Sequence, residues 1–389
     1  MTGIARQTAA DAQQGFARGA RGLMCMSADA ANGLDAAVEA DPGHPGARAL
    51  RAFFGHSVSK SWSPRLELAA ISPERYEVSS PQDRLLVDAA RTPEDERPHG
   101  DLLDRLLAYV ADRRDAVALG LLAFQVGVLN PSAEKRSALR AVLERHAQAA
   151  EADAAPWRAW LGVMLQNDGH SDRAETLLYP ALSAAPENAV VAHALAHALM
   201  SRGAETEILE LLTPWLSAHF SPAMSRHLQW HRATALFNQG RDDEVRSAFD
   251  AMAPGYAMDT GRLLWACRLG NRLPDLVYGQ DREFLRYRIR LFHMPLHVLG
   301  VAMCLAACGD TQGLDEILQR CKEQQDPGFT DGVAAWARAL RAVLLGSEDA
   351  PTLLAQARAS TSLFVAPDGA TGRSLLRLLD QTLSAGSLH

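Results

Sequence analysis

The sequence has few cysteines, no excess of basic residues and no long apolar run. Its 5 cysteines among 389 residues show no Cys-x-x-Cys spacing, so neither a disulfide framework nor a zinc ribbon is predicted. The net charge is −7 and no basic face runs through the chain, which argues against nucleic acid as a partner. The most apolar stretch, residues 298–308, is too short to span a bilayer, and the first residues lack the apolar core of a signal peptide. We therefore expect a cytoplasmic protein without a membrane partner.

Several common catalytic motifs are also missing. The sequence contains no phosphate-binding glycine-rich loop, no dinucleotide fingerprint and no Gly-x-Ser-x-Gly elbow. A nucleotide cofactor is therefore not expected. No stretch alternates apolar and polar residues for long, so almost no β-strand is predicted. Apolar residues make up 48% and charged residues 22%, which is close to the globular average and indicates a packed core.

The chain does contain a helical pattern with regularly spaced turn glycines. Leu, Ala and Arg dominate, which favours helices of about 12 to 16 residues. Residues 157–186 have the spacing of a tetratricopeptide repeat of about 34 residues. In this segment the small residue Gly162 lets two helices approach, and Gly169 supplies the turn between them. Further turn glycines are predicted at Gly203, Gly240, Gly270 and Gly309.

These repeats predict an all-α fold, a right-handed α-solenoid of degenerate tetratricopeptide-like helical hairpins. We expect one continuous body with an N-terminal helical region at residues 1–152, repeats at residues 153–346 and C-terminal capping helices at residues 347–389. The last helices are predicted near residues 351–359 and 371–384, and the polar residues 91–100 are predicted to form an exposed loop. Curved repeats often pair through one end, so a homodimer is compatible with the pattern, although no residues select an interface.

Histidine is the residue type that stands out against this background. Six of the 13 histidines form three His-x-x-x-His pairs, where random placement would give roughly 0.4 pairs. Residues four apart on a helix face the same way, so both imidazoles of a pair can reach one metal ion. The pairs are His193/His197, His227/His231 and His293/His297.

The repeat phasing places the first two pairs on the first helices of consecutive hairpins, before Gly203 and Gly240. Neighbouring helices pack about 8 to 10 Å apart, so these four imidazoles are predicted to converge on one transition-metal site in the concave groove. His297, on a later first helix, is a candidate fifth ligand. His293 and Asp259 are further candidates, and Asp259 could instead orient an imidazole or cap its helix.

A set of imidazoles without cysteine does not identify the metal, so iron, cobalt, zinc, manganese, nickel and copper all stay open. A histidine cluster that lines a groove leaves positions for water, dioxygen or substrate, which favours chemistry over a structural role. Trp230 and Trp265 could stack on a planar substrate, and Arg262 and Arg268 could meet an anion. No catalytic residue beyond the metal ligands is identified.

Four blocks of the sequence resemble, in order, those of the tetratricopeptide repeat protein 38-like family. They are AVVAHALAHALMSRG, HLQWHRATALFNQGRDDEV, MDTGRLLWACRLGN and LFHMPLHVLGVAMCLAACGD, and the resemblance covers residues 155–320. It implies a tetratricopeptide-like fold and a site, with His193, His197, His227, Trp230, His231, Asp259 and His297 on recurring motif positions. His293 departs from the family, which more often has an amide side chain there. In length and character the chain is also similar to a repeat protein of azapteridine (toxoflavin-type) antibiotic biosynthesis.

Together these observations predict a metal-dependent enzyme that acts on a small planar metabolite. An all-nitrogen site with open positions could bind dioxygen and substrate together, and the azapteridine likeness implies an oxidation in secondary metabolism. Metal-assisted hydrolysis is an alternative, because the same ligands could lower the pKa of bound water. A non-catalytic tetratricopeptide scaffold that binds a peptide or protein partner is the third reading, and the concentration of histidine at groove positions argues against it.

Overall fold

The computed structural model describes residues 3–93, 96–97, 100–128, 132–148, 154–221, 223–252, 257–289, 294–363 and 370–385. The protein is 80% helical, and the described residues form 23 α-helices and no strand. The predicted all-α class is confirmed.

The helices follow one another with short connections. In the first part of the chain they are α1 Gly3–Cys25, α2 Asp29–Ala40, α3 Pro45–Phe54, α4 Pro64–Ala69, α5 Pro73–Val78, α6 Pro81–Arg91, α7 Leu102–Val110, α8 Val117–Val128, α9 Ala133–Ala147, α10 Ala155–Asn167 and α11 Ser171–Ala184. They continue with α12 Ala189–Ser201, α13 Glu205–Ala218, α14 Ser225–Asn238, α15 Asp242–Met252, α16 Ala257–Leu269, α17 Pro274–Tyr278, α18 Arg282–Ile289, α19 Pro295–Ala307, α20 Thr311–Cys321, α21 Ala334–Leu344, α22 Ala350–Ser360 and α23 Ala370–Ala385. The two predicted C-terminal helices are present as α22 and α23. Part of the predicted loop at residues 91–100 lies outside the described residues.

The chain divides into two compact units, and the divisions fall inside helices. Unit 1 comprises Met1–Leu165, Asp172–Leu195 and Ser217–Ser225, and unit 2 comprises Gln166–Ser171, Ala196–Leu216 and Arg226–His389. The five helices α10 to α14 therefore each contribute residues to both units.

In unit 1, the helices α1 and α2 approach each other backbone to backbone. A Cβ atom on Gly22 would lie 2.1 Å from the amide nitrogen of Ala30, so only glycine permits this contact. Further along, His146 on α9 is buried against Trp157, with the ring centroids 4.4 Å apart. The His146 Nε2 atom lies 2.7 Å from the carbonyl oxygen of Val110, which satisfies a polar atom inside the core.

In unit 2, α16 packs closely on α19. A Cβ atom on Gly261 would lie 2.1 Å from the carbonyl oxygen of Gly300, so the small residues bring the two helices together. The opposite end of the chain is also fixed to α16, because the Trp265 indole N–H donates to the hydroxyl of Thr382 on α23 at 3.1 Å. These contacts fix the positions of α16 and α23 within unit 2.

The predicted turn glycines define where several helices end. Gly169, Gly203, Gly240 and Gly309 have φ values of 85, 70, 76 and 74°, in the left-handed region that glycine tolerates. After Gly203, the amide of Ala204 donates back to the carbonyl of Leu199 at 3.1 Å, as in a Schellman cap. At the predicted turn near Gly270, the left-handed residues are instead Asn271 (φ 50°) and Leu273 (φ 51°). Asn tolerates this conformation because its short polar side chain can bond locally.

A search of the described helices for membrane spans found none with the length and apolarity needed to cross a bilayer.

Candidate metal centre

Two of the three histidine pairs lie on α12 and α14. The helix α12 begins after Asn188, whose side-chain oxygen accepts from the amide of Val191 at 3.1 Å, as an N-cap does. It ends at the cap around Gly203, and α14 ends in the same way at Gly240, where the amide of Arg241 donates to the carbonyl of Leu236 at 3.0 Å. These caps fix the ends of α12 and α14, and the ends determine which turns of each helix carry the histidines.

The four imidazoles of these helices converge. The candidate metal-binding nitrogens of His193, His197, His227 and His231 all lie within 4.8 Å of one another. We call these four residues the histidine cluster. His193 stands one turn before His197 on the same continuous helix, so its place follows from α12 itself. The predicted convergence of the two pairs is therefore present.

The spacing of the nitrogens fits one transition-metal ion. The Nε2 atoms of His227 and His231 are 3.2 Å apart. Ligand nitrogens about 2.0 to 2.1 Å from a tetrahedral metal lie about 3.3 Å from one another. The widest pair, at up to 4.8 Å, would have to draw closer by small side-chain rotations. The donor set therefore fits a metal, and its all-nitrogen chemistry admits several.

Most of the cluster is buried, and burial favours the neutral form of His197. His231 has no exposed surface, His197 and His227 expose less than a tenth of theirs, and His193 is half-buried. The pKa of His197 lies well below its usual value, first because burial disfavours the charged ring and then because His227 and the Arg262 guanidinium repel a proton there. A neutral imidazole keeps a lone pair for a metal.

Met200 is the neighbour that orients one ligand. Its Sδ atom lies 2.9 Å from Nδ1 of His231. A thioether sulfur accepts hydrogen bonds but cannot donate them, so this contact favours the proton on Nδ1 and leaves the His231 Nε2 lone pair directed towards His227. Metal-binding histidines commonly donate their second N–H in this way. Met200 was not predicted from the sequence, although it stands three residues after His197 on the same helix.

Trp230 packs beside the cluster. Its ring lies 4.5 Å from the His231 ring and stacks on His227 at 5.4 Å, centroid to centroid. The guanidinium carbon of Arg262 lies over the Trp230 ring at 4.0 Å, at the distance of a cation–π contact. Arg262 is itself buried. Both residues were predicted to bind substrate, and the structure places them beside the histidine cluster.

A pocket lies next to Met200, Trp230 and Arg262. Met200, Trp230 and Arg262 line it together with residues of α14, α16 and α23, and all of its lining residues belong to unit 2. Since Met200 contacts His231 and Trp230 contacts both His227 and His231, the pocket and the cluster share walls. The α23 residues were not predicted, because nothing in the sequence connects a helix at the end of the chain with residues 193–231.

The remaining predicted site residues lie elsewhere. His297, on α19, is half-buried, and its Nε2 atom lies 2.9 Å from Nη2 of Arg288. Because arginine can only donate, Nε2 of His297 accepts there, and the cluster of four does not include this residue. Trp265 is fully buried, with its N–H on Thr382. Arg268 donates to the carbonyl of Ala307 at 2.8 Å, so it ties two helices together.

Two candidate ligands cannot be placed against the cluster. His293 lies outside the described residues, and Asp259 stands near the start of α16 with its side chain outside the described part. The five cysteines are all buried, and none of them forms a disulfide. Burial raises the pKa of Cys304 and raises that of Cys308 to about 11, so neither thiol supplies a ready thiolate ligand.

The chain was compared with models of protein families, with curated proteins and with solved structures. None of the three comparisons found a match.

Proposed function

We propose that this protein is a metal-dependent enzyme whose histidine cluster holds one transition-metal ion and which oxidises a small planar metabolite, with dioxygen as the oxidant. The observation that carries the proposal is the convergence of four imidazole nitrogens within 4.8 Å from two helices. Four histidines brought together in a protein interior cost free energy through burial of polar groups. A bound cation satisfies all four lone pairs at once.

The donor set favours chemistry over a purely structural metal. Structural zinc sites commonly use cysteine thiolates, whereas each of these four ligands is a histidine. A bound iron, cobalt, copper or manganese ion would supply redox chemistry and would polarise an oxygen atom of a ligand. The protein's own residues hold the His197 imidazole neutral, fix the His231 tautomer through Met200, and place Trp230 and Arg262 between the cluster and the pocket.

The architecture around the site is part of the same proposal. We propose that α10–α11, α12–α13 and α14–α15 are degenerate tetratricopeptide-like hairpins of a right-handed α-solenoid. Support comes from the left-handed glycines after α10, α12 and α14. It also comes from contacts between adjacent helices, such as the 3.0 Å hydrogen bond from Asn238 to Glu205.

Metal analysis of the purified full-length protein tests the proposal. We expect about one equivalent of a redox-active transition metal, and less than about 0.2 equivalents in the variant His193→Ala/His231→Ala. The matched control is His170→Ala, which removes an exposed histidine of unit 2 and is expected to keep the metal. The electronic and electron paramagnetic resonance spectra, recorded before and after exposure to air, then report whether the metal changes oxidation state.

Each outcome supports one of the three candidate functions. A redox-active metal that is lost with the cluster supports the oxidase. Zinc at the cluster would contradict oxidation and leave metal-assisted hydrolysis. Metal below about 0.2 equivalents in the unaltered protein, with no change in the variant, would refute the enzyme and leave a scaffold that binds a peptide or protein partner.

A further inference from the structure

The pocket beside the histidine cluster carries a concentration of positive charge. Among the described residues that line it are three arginines and no aspartate or glutamate. The arginines are Arg262 on α16 and Arg373 and Arg377 on α23. Guanidinium groups stay charged at any pH a protein tolerates and match carboxylate or phosphate oxygens with a planar fork of donors. This arrangement attracts an anion.

The arginines are held by the fold at the same wall. Arg373 and Arg377 stand four residues apart on α23, so they share one face of the helix. The hydrogen bond from Trp265 to Thr382 fixes α23 against α16, the helix that carries Arg262. Arg377 is exposed, Arg373 is half-buried and Arg262 is buried, so the charge extends from the surface inwards towards the cluster.

Apolar and aromatic side chains also line the pocket, beside several polar ones. Phe237 and Leu263 line the pocket together with Trp230. The indole Nε1 atom of Trp230 and the hydroxyl of Thr234, which also lines the pocket, are buried and lack a hydrogen-bond partner among the described residues. A buried donor without a partner costs stability. The pocket thus combines anion recognition with surfaces for a flat body.

We infer that this pocket binds a planar aromatic carboxylate, with the carboxylate on Arg373 and Arg377 and the ring against Phe237, Leu263 and Trp230. The ligand would then extend from the surface towards Arg262 and the histidine cluster. This inference rests on the proposed function, because it names the substrate class of that same metal centre. Its binding test, however, requires no turnover and no particular metal.

The probe is 2-naphthoate, a planar aromatic carboxylate, titrated calorimetrically into the full-length protein with and without added metal. Two further probes separate its parts: 2-naphthamide keeps the ring without the charge, and inorganic phosphate keeps an anion without the ring. We expect naphthoate to bind at least tenfold more tightly than either. In Arg373→Gln/Arg377→Gln its affinity should fall by about tenfold or more, because hydrogen bonds to charged groups are lost.

The matched control is Arg241→Gln, which removes an exposed arginine of unit 2 that pairs with Glu244 outside the pocket. We expect this variant to bind naphthoate like the unaltered protein. Absence of naphthoate binding, equal binding of the amide or of phosphate, or equal weakening by Arg241→Gln would each overturn the inference. Circular dichroism of the double variant checks that α23 keeps its helix.

The two proposals fail separately. If naphthoate binds through the arginines but no metal is present, the pocket is an anion site and the metal-dependent enzyme is refuted. If metal is present but naphthoate does not bind, the substrate class is wrong and the metal centre stands.

Discussion

Each unit of the molecule buries a histidine beside a tryptophan, but the two histidines face different partners. In unit 1, His146 packs 4.4 Å from Trp157 and its Nε2 atom meets the Val110 carbonyl. In unit 2, His231 packs 4.5 Å from Trp230 and its Nε2 atom meets another imidazole nitrogen, that of His227. Burial and aromatic packing are therefore shared, and only the partner of the inner nitrogen differs.

That difference separates a structural histidine from a candidate ligand. A carbonyl oxygen only accepts, so Nε2 of His146 carries the proton and that nitrogen has no lone pair for a metal. In the cluster, one shared proton can pair the facing nitrogens of two imidazoles. It cannot also pair the nitrogens of the two further imidazoles that approach the same point. A cation can satisfy all of them. Burial of one histidine therefore says little about metal binding, whereas a convergent group of four could hold a metal ion.

The largest expected effect tests whether His231 and its neighbours bind a metal. Loading the metal-free protein with its metal should stabilise the folded protein by about 4 kcal/mol when free metal exceeds the dissociation constant about 1,000-fold. The double variant His227→Asn/His231→Asn should show no such increment. Differential scanning calorimetry with and without metal measures it. A metal-dependent shift that persists in the double variant would contradict the assignment of ligands.

A second prediction tests whether His146 in unit 1 has a purely structural role. Removing His146 should lower the free energy of unfolding by about 3 kcal/mol, because His146→Ala leaves a cavity beside Trp157 and an unpaired carbonyl at Val110. Metal content should stay that of the unaltered protein. Chemical denaturation gives the first quantity and elemental analysis the second. A loss of metal in His146→Ala would contradict the purely structural role of His146.

A smaller effect sharpens the role of Met200. The variant Met200→Leu keeps the volume of the side chain but removes the sulfur that contacts Nδ1 of His231. We expect metal affinity to fall by about tenfold, or about 1.4 kcal/mol, at the low end of the range for partners that orient a ligand. Competition with a chromogenic chelator measures the affinity. Unchanged affinity would show that the thioether does not orient the ring.

The smallest expected effect compares the cysteines of the two units. Burial raises the thiol pKa of Cys25 in unit 1 and of Cys267 in unit 2 to about 12. At pH 8 both are therefore neutral thiols, and alkylation, which needs the thiolate, should be slow. Removal of metal should speed alkylation of Cys267 on the order of threefold, because its helix α16 also carries Arg262, which packs on Trp230 beside the cluster. Cys25 should keep its rate. Iodoacetamide labelling followed by mass spectrometry gives both rates, and equal acceleration at both cysteines would argue against a metal held at the histidine cluster.

Local features of the fold and the site could be predicted from the sequence because they repeat at short range. The pairs His193/His197 and His227/His231 follow helical spacing, and Gly203 and Gly240 fix where their helices end. This phasing was sufficient to predict that four imidazoles meet. The same reasoning failed by one residue near Gly270, where Asn271 adopts the left-handed conformation, because asparagine can replace glycine there.

Long-range placement was not predictable from these patterns. His297 has the same spacing as the other histidines, yet its Nε2 atom meets Arg288 nine residues earlier. Arg373 and Arg377 reach the pocket only because Trp265 fixes α23 on α16. Such contacts depend on tertiary packing between segments more than 100 residues apart, and no local periodicity records them.

The whole donor set of the histidine cluster lies between His193 and His231, in about a tenth of the chain. A site on so short a segment can be inherited, duplicated or lost as a single piece of coding sequence. Two His-x-x-x-His helices about 30 residues apart, each closed by a glycine, are therefore a signature that can be searched for in genomes where the rest of the chain has diverged. The same segment offers protein designers a compact cassette for moving the cluster into other helical scaffolds.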